Sequence, residues 1–314
     1  MEGERIDEKA DLCDDARMEL NQSYAFCRKI ATTQYENFTV VSFLLPRKLR
    51  EPFYAVYAYC RLSDDLADES GSPERATERL ADWQKQLDRC CDGMPLETDS
   101  PIFPAVKDVI ERHHLPKKLF DDLLEAFRRD QIQTRYDTWD ELLDYCRCSA
   151  NPVGRIILHL GASVAKTGPP TDEMLRYSDS ICTALQLANF WQDVARDWEK
   201  GRFYVPMEYC AKYGYDPKNS PQQTQPFEAM LKELCDRTQQ MFLAGSPLIP
   251  LVPKMLRTDV TLFQSGGLAV LDAIEKINYK VWQRRPTISK WHKLWFLVRA
   301  VFLRYFSTIF SSSS

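Results

Sequence analysis

The chain has 314 residues, with 41 Lys and Arg against 45 Asp and Glu and a net charge of −4. Hydrophobic residues make up 44% and charged residues 27%, a mix that buries a core and excludes a disordered or collagen-like chain. The balanced charge lacks the basic excess of a nucleic-acid binder, so no nucleic-acid partner is expected.

The start, Met1 to Asp15, is dominated by charge, lacks a secretory signal and reads as a poorly ordered N-terminus over residues 1–14. Asp15 to Ala31 contains no Gly or Pro and spaces its apolar residues as a helix does. An apolar run from Phe38 to Leu45 ends at Pro46. That proline suits the first turn of a helix over Arg47 to Glu69, stopped by Gly71. Ser72-Pro73 is an N-cap followed by Pro at the first helical position, opening a helix over Glu74 to Cys91. His113-His114 marks a helix end rather than a metal site, and Pro116 opens the next helix through Phe120, Leu124 and Phe127. Helical regions follow over 138–166 and 171–199. Residues 201–226, rich in Gly and Pro, read as loop, and helices resume over 227–243 and around 258–283.

No strand ladder, internal repeat or flexible linker is visible. The prediction is an all-α protein, one domain over 15–290 with about ten helices, whose sites are built from side chains facing inward on opposed helices. The ten cysteines contain no C-x₂-C pair, so neither a zinc ribbon nor a redox motif is expected. They read as reduced thiols of a cytoplasmic protein.

Two segments carry chemistry. In Arg61-Leu-Ser-Asp64-Asp65-Leu-Ala-Asp68, Asp64 and Asp68 lie four apart and stack on one helical face, with Arg61 on the same side. Stacked carboxylates repel, and a sequence that keeps them either has a cation to place there or presents a solvated acidic face. The second segment favours the cation. Gln186, Asn189, Asp193 and Asp197 follow the spacing of one stripe on an otherwise apolar helix. Burying uncompensated carboxylates there would be costly. Carboxylate and amide oxygens are ligands for Mg²⁺, which commonly shares its shell with phosphate oxygens. Two such helices facing each other would hold two or three Mg²⁺ ions around a diphosphate and stabilise it as it leaves. The carbocation left behind needs a dry aromatic cavity, and 16 Phe, 14 Tyr and 7 Trp can supply one. Arg61, Arg155 and Arg202 are candidates for clamping the diphosphate, Arg61 and Arg202 ahead of Arg155. Each could equally pair with an acidic helix.

These motifs resemble the squalene/phytoene synthase family over roughly residues 20–290. The resemblance rests on Tyr57-Ala-Tyr-Cys-Arg61-x-x-Asp64-Asp65-x-x-Asp68 and on Gln186-x-x-Asn189-x-x-x-Asp193-x-x-x-Asp197. Gly201-Arg202-Phe203-Tyr204 matches the family's Arg-x-Tyr pair, and Tyr145-Cys-Arg-Cys-Ser-Ala150-Asn-Pro-Val-Gly154-Arg155 its Tyr-plus-Gly segment. The resemblance implies an isoprenoid-synthase helical bundle with a central apolar cavity. It places Asp64, Asp65, Asp68, Asn189, Asp193 and Asp197 on metal. It places Arg61, Arg202, Tyr204, Gln186, Asn37 and Arg155 on diphosphate. Tyr145 would face the reacting centre, and Ala150 and Gly154 would leave room for an isoprenoid chain.

Within the family the sequence is similar to HpnC-type hydroxysqualene synthases of hopanoid biosynthesis. That likeness implies conversion of presqualene diphosphate and water to hydroxysqualene, without NADPH. One departure bears on this. Condensing members carry a Ser-rich segment here replaced by Gln34-Tyr35-Glu36-Asn37-Phe38. An added carboxylate beside a second diphosphate would repel it by ~1 kcal/mol or more in a partly wet site. A single-diphosphate substrate is therefore expected, with Glu36 or Tyr35 orienting the quenching water. Glu36 could instead be an ordinary cap or surface residue.

The tail over 291–310 is basic and aromatic, with Arg299 and Arg304 breaking its apolar runs. It suits a helix lying on a membrane surface or one packed on the bundle, and residues 291–314 are set apart as this helix and tail. The expectation is a cytoplasmic protein, peripheral on the inner face of the membrane, in contact with a presqualene diphosphate synthase. Two other readings are carried: a condensing synthase making presqualene or phytoene diphosphate, and a non-catalytic assembly-factor relative. The complete acidic constellation counts against the latter.

Overall fold

A computed structural model describes residues 2–33, 45–95, 100–217 and 224–287, with side chains from Arg17 onward. Twelve helices lie among the described residues: α1 (Glu2–Thr33), α2 (Arg47–Asp68), α3 (Pro73–Cys91), α4 (Phe103–His113), α5 (Lys117–Arg129), α6 (Trp139–Ser149), α7 (Asn151–Ala165), α8 (Asp172–Glu199), α9 (Met207–Tyr213), α10 (Gln225–Gly245), α11 (Leu248–Leu251) and α12 (Lys254–Lys276). The all-α prediction holds. Among the described residues the only extended pairing is an isolated parallel bridge between Arg135 and Phe203.

Side-chain caps set four of the helix starts. Ser72 accepts from the Arg75 N–H, Thr138 from Glu141, Thr171 from Met174 and Thr224 from Phe227. The helix end read at His113-His114 is present, with His114 closing α4 in the left-handed conformation (φ 51°).

Four boundaries differ from the sequence reading. Residues 2–14, set apart there as an N-terminus, lie within α1; they include the helix formers Glu, Lys, Ala and Arg. The region 138–166 is two helices, broken at Ala150 (φ −123°, ψ −45°). The loop-rich stretch contains the short α9. The last helix stops at Lys276, where Asn278 and Tyr279 both take positive φ. By its contacts the chain divides into two compact units, Met1–Arg128 and Arg129–Ser314.

In the first unit, the core is built where α2, α3, α4 and α5 each contribute a ring. Tyr59 lies over Trp83 at 6.2 Å and meets Phe120 edge-on at 5.2 Å, while Trp83 meets Phe103 at 4.6 Å. Such packing fixes α2 by its apolar face and leaves Arg61, Asp64 and Asp68 on the other. In the second unit α8 is central, with α7, α10 and α12 against it. Trp191, fully buried, donates its indole N–H to Thr238 on α10 (2.8 Å), so a polar atom in the core is satisfied.

Candidate active site

On α2, Arg61 donates to Asp64 (3.2 Å) and also pairs with Asp65 one residue further on. These are i,i+3 and i,i+4 contacts, so the stripe carries its own counter-charge. The Arg61 side chain is thus turned along its own helix, and its buried Nε has no hydrogen-bond partner among the described residues. Asp68, in the last turn of α2, is exposed.

On α8 the expected stripe is present but bent. Asp193 has φ −107° and ψ 15°, outside the helical region, so the helix kinks at the middle carboxylate. Asn189 is exposed, and Gln186, Asp193 and Asp197 are half-buried, between the buried Leu187, Ala188, Phe190, Trp191 and Val194. Burial, and then the neighbouring Asp193, push the Asp197 carboxyl up to about 6. Arg202 sits beside it, with its backbone N–H bonded to the Asp197 carbonyl (2.8 Å). Asp193 itself is gripped from far along the chain. Arg285 donates from Nε to one carboxylate oxygen (2.5 Å) and from Nη2 to the other (2.9 Å).

The loop after α8 is placed by backbone pairing. Phe203 donates its N–H to the Thr134 carbonyl (2.8 Å) and Met207 to that of Tyr136 (2.9 Å). This register lays Tyr204 over Phe190 (3.8 Å, 6° between planes) and beside Tyr136 (5.7 Å). Tyr145 joins the same group, 6.0 Å from Tyr204, and its hydroxyl donates to Asp130 (2.8 Å). Burial and the Asp130 charge drive the Tyr145 phenol far above its ordinary value, so it stays protonated. The three tyrosines and Phe190 form a buried aromatic patch with one charged anchor, an environment whose ring faces attract positive charge.

The second unit also holds an apolar cleft of about 550 Å³, counting its open mouth, between α7, α8 and α12. Gly154, Ser178, Ile181, Cys182, Leu185 and Phe263 are among its walls. A Cβ on Gly154 would lie 2.4 Å from the Cys182 sulfur and 2.5 Å from the Ser178 hydroxyl, so only glycine allows α7 and α8 to approach this closely. Ala150, the other residue assigned to the chain cavity, sits at the break between α6 and α7 and is not part of this wall. Arg155 makes a fork-to-fork pair with Asp179 (2.8 and 2.5 Å), tying α7 to α8. Tyr35, Glu36 and Asn37 lie outside the described residues, as does the tail over 291–310. Among the described residues no three His, Cys, Asp or Glu side chains are already gathered as a metal cage, and no helix is long and apolar enough to cross a membrane.

The squalene/phytoene synthase profile matches residues 31–292, and so spans both acidic motifs, Tyr145, Gly154 and the Arg202–Tyr204 loop. The chain belongs to the squalene/phytoene synthase family. It is 28% identical over 287 residues to the 15-cis-phytoene synthase of Synechococcus elongatus, covering 88% of this chain and 91% of that one. The crystal structure of squalene synthase HpnC from Alicyclobacillus acidocaldarius is 39% identical, with a TM-score of 0.77 over 84% of this chain and 97% of that one. A dehydrosqualene synthase structure superposes with a TM-score of 0.77 over 92% of this chain and 99% of that one at 22% identity, a likeness of fold alone. The fold is therefore the isoprenoid-synthase helical fold, in a family of enzymes that act on prenyl diphosphates.

For a member of this family, three contacts are absent from the sequence reading. Asp130 stands in a charged run, Arg128-Arg-Asp130, with nothing to separate it from a surface acid. Asp179 lies on a helix with other acids in its first turn. Arg285 appears only as half of a basic pair before Pro286. Each finds its partner 15 or more residues away, and no local spacing rule reports such distances.

Proposed function

We propose that the protein converts presqualene diphosphate and water to hydroxysqualene, with release of diphosphate. The observation that carries a prenyl-diphosphate site on this chain is the division of labour along α8. Its N-terminal half, Ser178 to Leu185, walls an apolar cleft, and its C-terminal half carries Asn189, Asp193 and Asp197. Cys182 and Asp193 are 11 residues apart, about 16 Å at 1.5 Å per residue. One helix thus offers a groove for a hydrocarbon chain and, one chain-length away, oxygens for a charged head group.

The donor chemistry on α8 fits Mg²⁺: hard oxygens only, with Asp197 pushed up to about 6 by burial and by the neighbouring Asp193 carboxylate. The proposed ligands are Asp64, Asp65 and Asp68 on α2 and Asn189, Asp193 and Asp197 on α8. Bound there, Mg²⁺ would supply charge neutralisation for a departing diphosphate. Arg202, Gln186 and Tyr204 orient the head group in this reading. The apolar cleft excludes water from the chain, and the aromatic patch of Tyr145, Tyr204 and Phe190 favours the cation over its neutral precursor. Water then adds to the rearranged cation and gives up a proton.

The hydroxysqualene reading draws on the likeness to HpnC at 39% identity and on Glu36 in place of the Ser-rich segment. A condensing synthase is the second reading, favoured by the 28% identity to a 15-cis-phytoene synthase. Product analysis decides. With presqualene diphosphate and Mg²⁺, hydroxysqualene is expected, in the same yield with and without NADPH. Consumption of farnesyl or geranylgeranyl diphosphate alone would instead identify a condensing enzyme. In this reading a presqualene diphosphate synthase supplies the substrate, and the tail over 291–310 meets the membrane.

A further inference from the structure

We propose that Arg285 sets how tightly the second acidic helix takes a divalent cation, because its guanidinium holds both oxygens of Asp193 and competes with the cation for that carboxylate. This rests on the reading of α8 as a metal-binding helix.

The contact is built rather than incidental. Arg285 meets Asp193 with two parallel N–H donors, the fork geometry that matches a carboxylate. The same Nη2 also reaches the Gln192 side-chain oxygen (3.2 Å), and Gln192 returns its amide N–H to the Pro286 carbonyl (2.8 Å). Gln192 is only 8% exposed, so the chain at 285–286 is docked on α8 through a buried amide. Three residues earlier, Trp282 meets Trp198 of α8 edge-on at 6.0 Å and Phe227 of α10 at 5.7 Å. The arginine is therefore delivered by an anchored segment and loses little freedom in pairing. The nearest arginine on α8 itself does not substitute for it. Arg196 reaches Asp193 only at 4.0 Å, with a side chain 63% exposed.

Exchange follows from occupancy. Arg285 occupies one acceptor position on each Asp193 oxygen, which blocks bidentate coordination, and its positive charge repels a cation approaching the positions left. Apparent metal affinity is then reduced by the fraction of time that Asp193 is released.

The test is Mn²⁺ binding to the full chain without substrate, read from the electron paramagnetic resonance signal of free Mn²⁺. Asp193→Asn marks the affected site by removing it. Arg285→Gln is expected to tighten that site about tenfold, with Arg285→Lys in between, since Lys keeps the charge but not the fork. Arg284→Gln removes an equal charge from the exposed neighbour and is expected to stay within about twofold of the parent. Circular dichroism confirms that each variant is folded. Unchanged or weaker binding in both Arg285 variants overturns the proposal, and so does equal tightening in Arg284→Gln, which would reduce it to net charge. If no protein binds Mn²⁺ even with inorganic pyrophosphate present, the metal reading fails and the proposal falls with it.

Discussion

The two acidic helices solve the same electrostatic problem differently. On α2, Asp64 and Asp65 are met by Arg61, three and four residues back on the same helix. On α8, Asp193 is met by Arg285, 92 positions away, and the helix kinks at that residue. The first arrangement forms with the helix and persists with it. The second exists only once the chain beyond α12 has docked, and Asp197 is still left with its carboxyl pushed up to about 6. A locally balanced stripe is a stable surface. A stripe balanced from a distance can lose its counter-charge without losing the helix, and that makes α8 the more responsive of the two.

Substitution at the centre of each stripe puts this contrast at greatest risk. Asp193→Asn is expected to lower turnover of presqualene diphosphate by on the order of 10²-fold or more, ~3 kcal/mol of transition-state stabilisation. Asp65→Asn, whose partner is supplied within its own helix, should stay within about tenfold. Steady-state rates for the two variants side by side would erase the distinction if the losses were equal.

Next in size is the packing behind α8. Gly154→Ala places a methyl group against the Cys182 sulfur and the Ser178 hydroxyl, and the cost of such overpacking is about 1–3 kcal/mol. A lower melting temperature is expected. Because the clash is on the cleft wall, lower affinity for a long-chain diphosphate should accompany it, with little change for inorganic pyrophosphate. Loss of both together would mean that the cleft and the stripe are not separate ends of one site.

How much of this was legible in the sequence follows the same division between local and distant. Ser72-Pro73 predicted the start of α3, and Ser72 does cap it. The spacing of Asp64 and Asp68 put them on one face, and α2 leaves that face open. Gly154 was singled out by its family motif, and it stands where two helices touch. What depends on tertiary contact was not visible. A straight stripe was expected through Asn189, Asp193 and Asp197, but the helix bends at Asp193, and periodicity has no signal for a bend without proline. Arg155 was a phosphate candidate, and the structure places its guanidinium on Asp179. Asp130 carries no sequence signal, although it holds the hydroxyl of Tyr145. Backbone propensity, capping and periodicity act within a few residues, whereas a charge partner is chosen by the fold.

The smallest expected effect is on stability, and its sign separates a strained carboxylate from a balanced one. Asp197 titrates at about 6 in the folded protein against an ordinary 3.8. The raised value means that folding disfavours the charged form, so stability falls as pH rises from about 4 through 6, and the penalty is complete above that window. The side chain is partly solvated, which discounts the penalty to about 1 kcal/mol. Asp197→Asn removes it. The variant should therefore melt about 2–4 °C above the parent at pH 7.5, with the gain shrinking toward zero below about pH 4, where the folded parent is already neutral at this position. Asp65→Asn, measured in the same way, should show no such gain, because it loses an ion pair instead of a repulsion. A gain in Asp197→Asn that is independent of pH would locate the effect in packing and not in charge. In the expected case, a residue that destabilises α8 near neutral pH is one proposed to bind metal there, and stability has been exchanged for a site that accepts a cation.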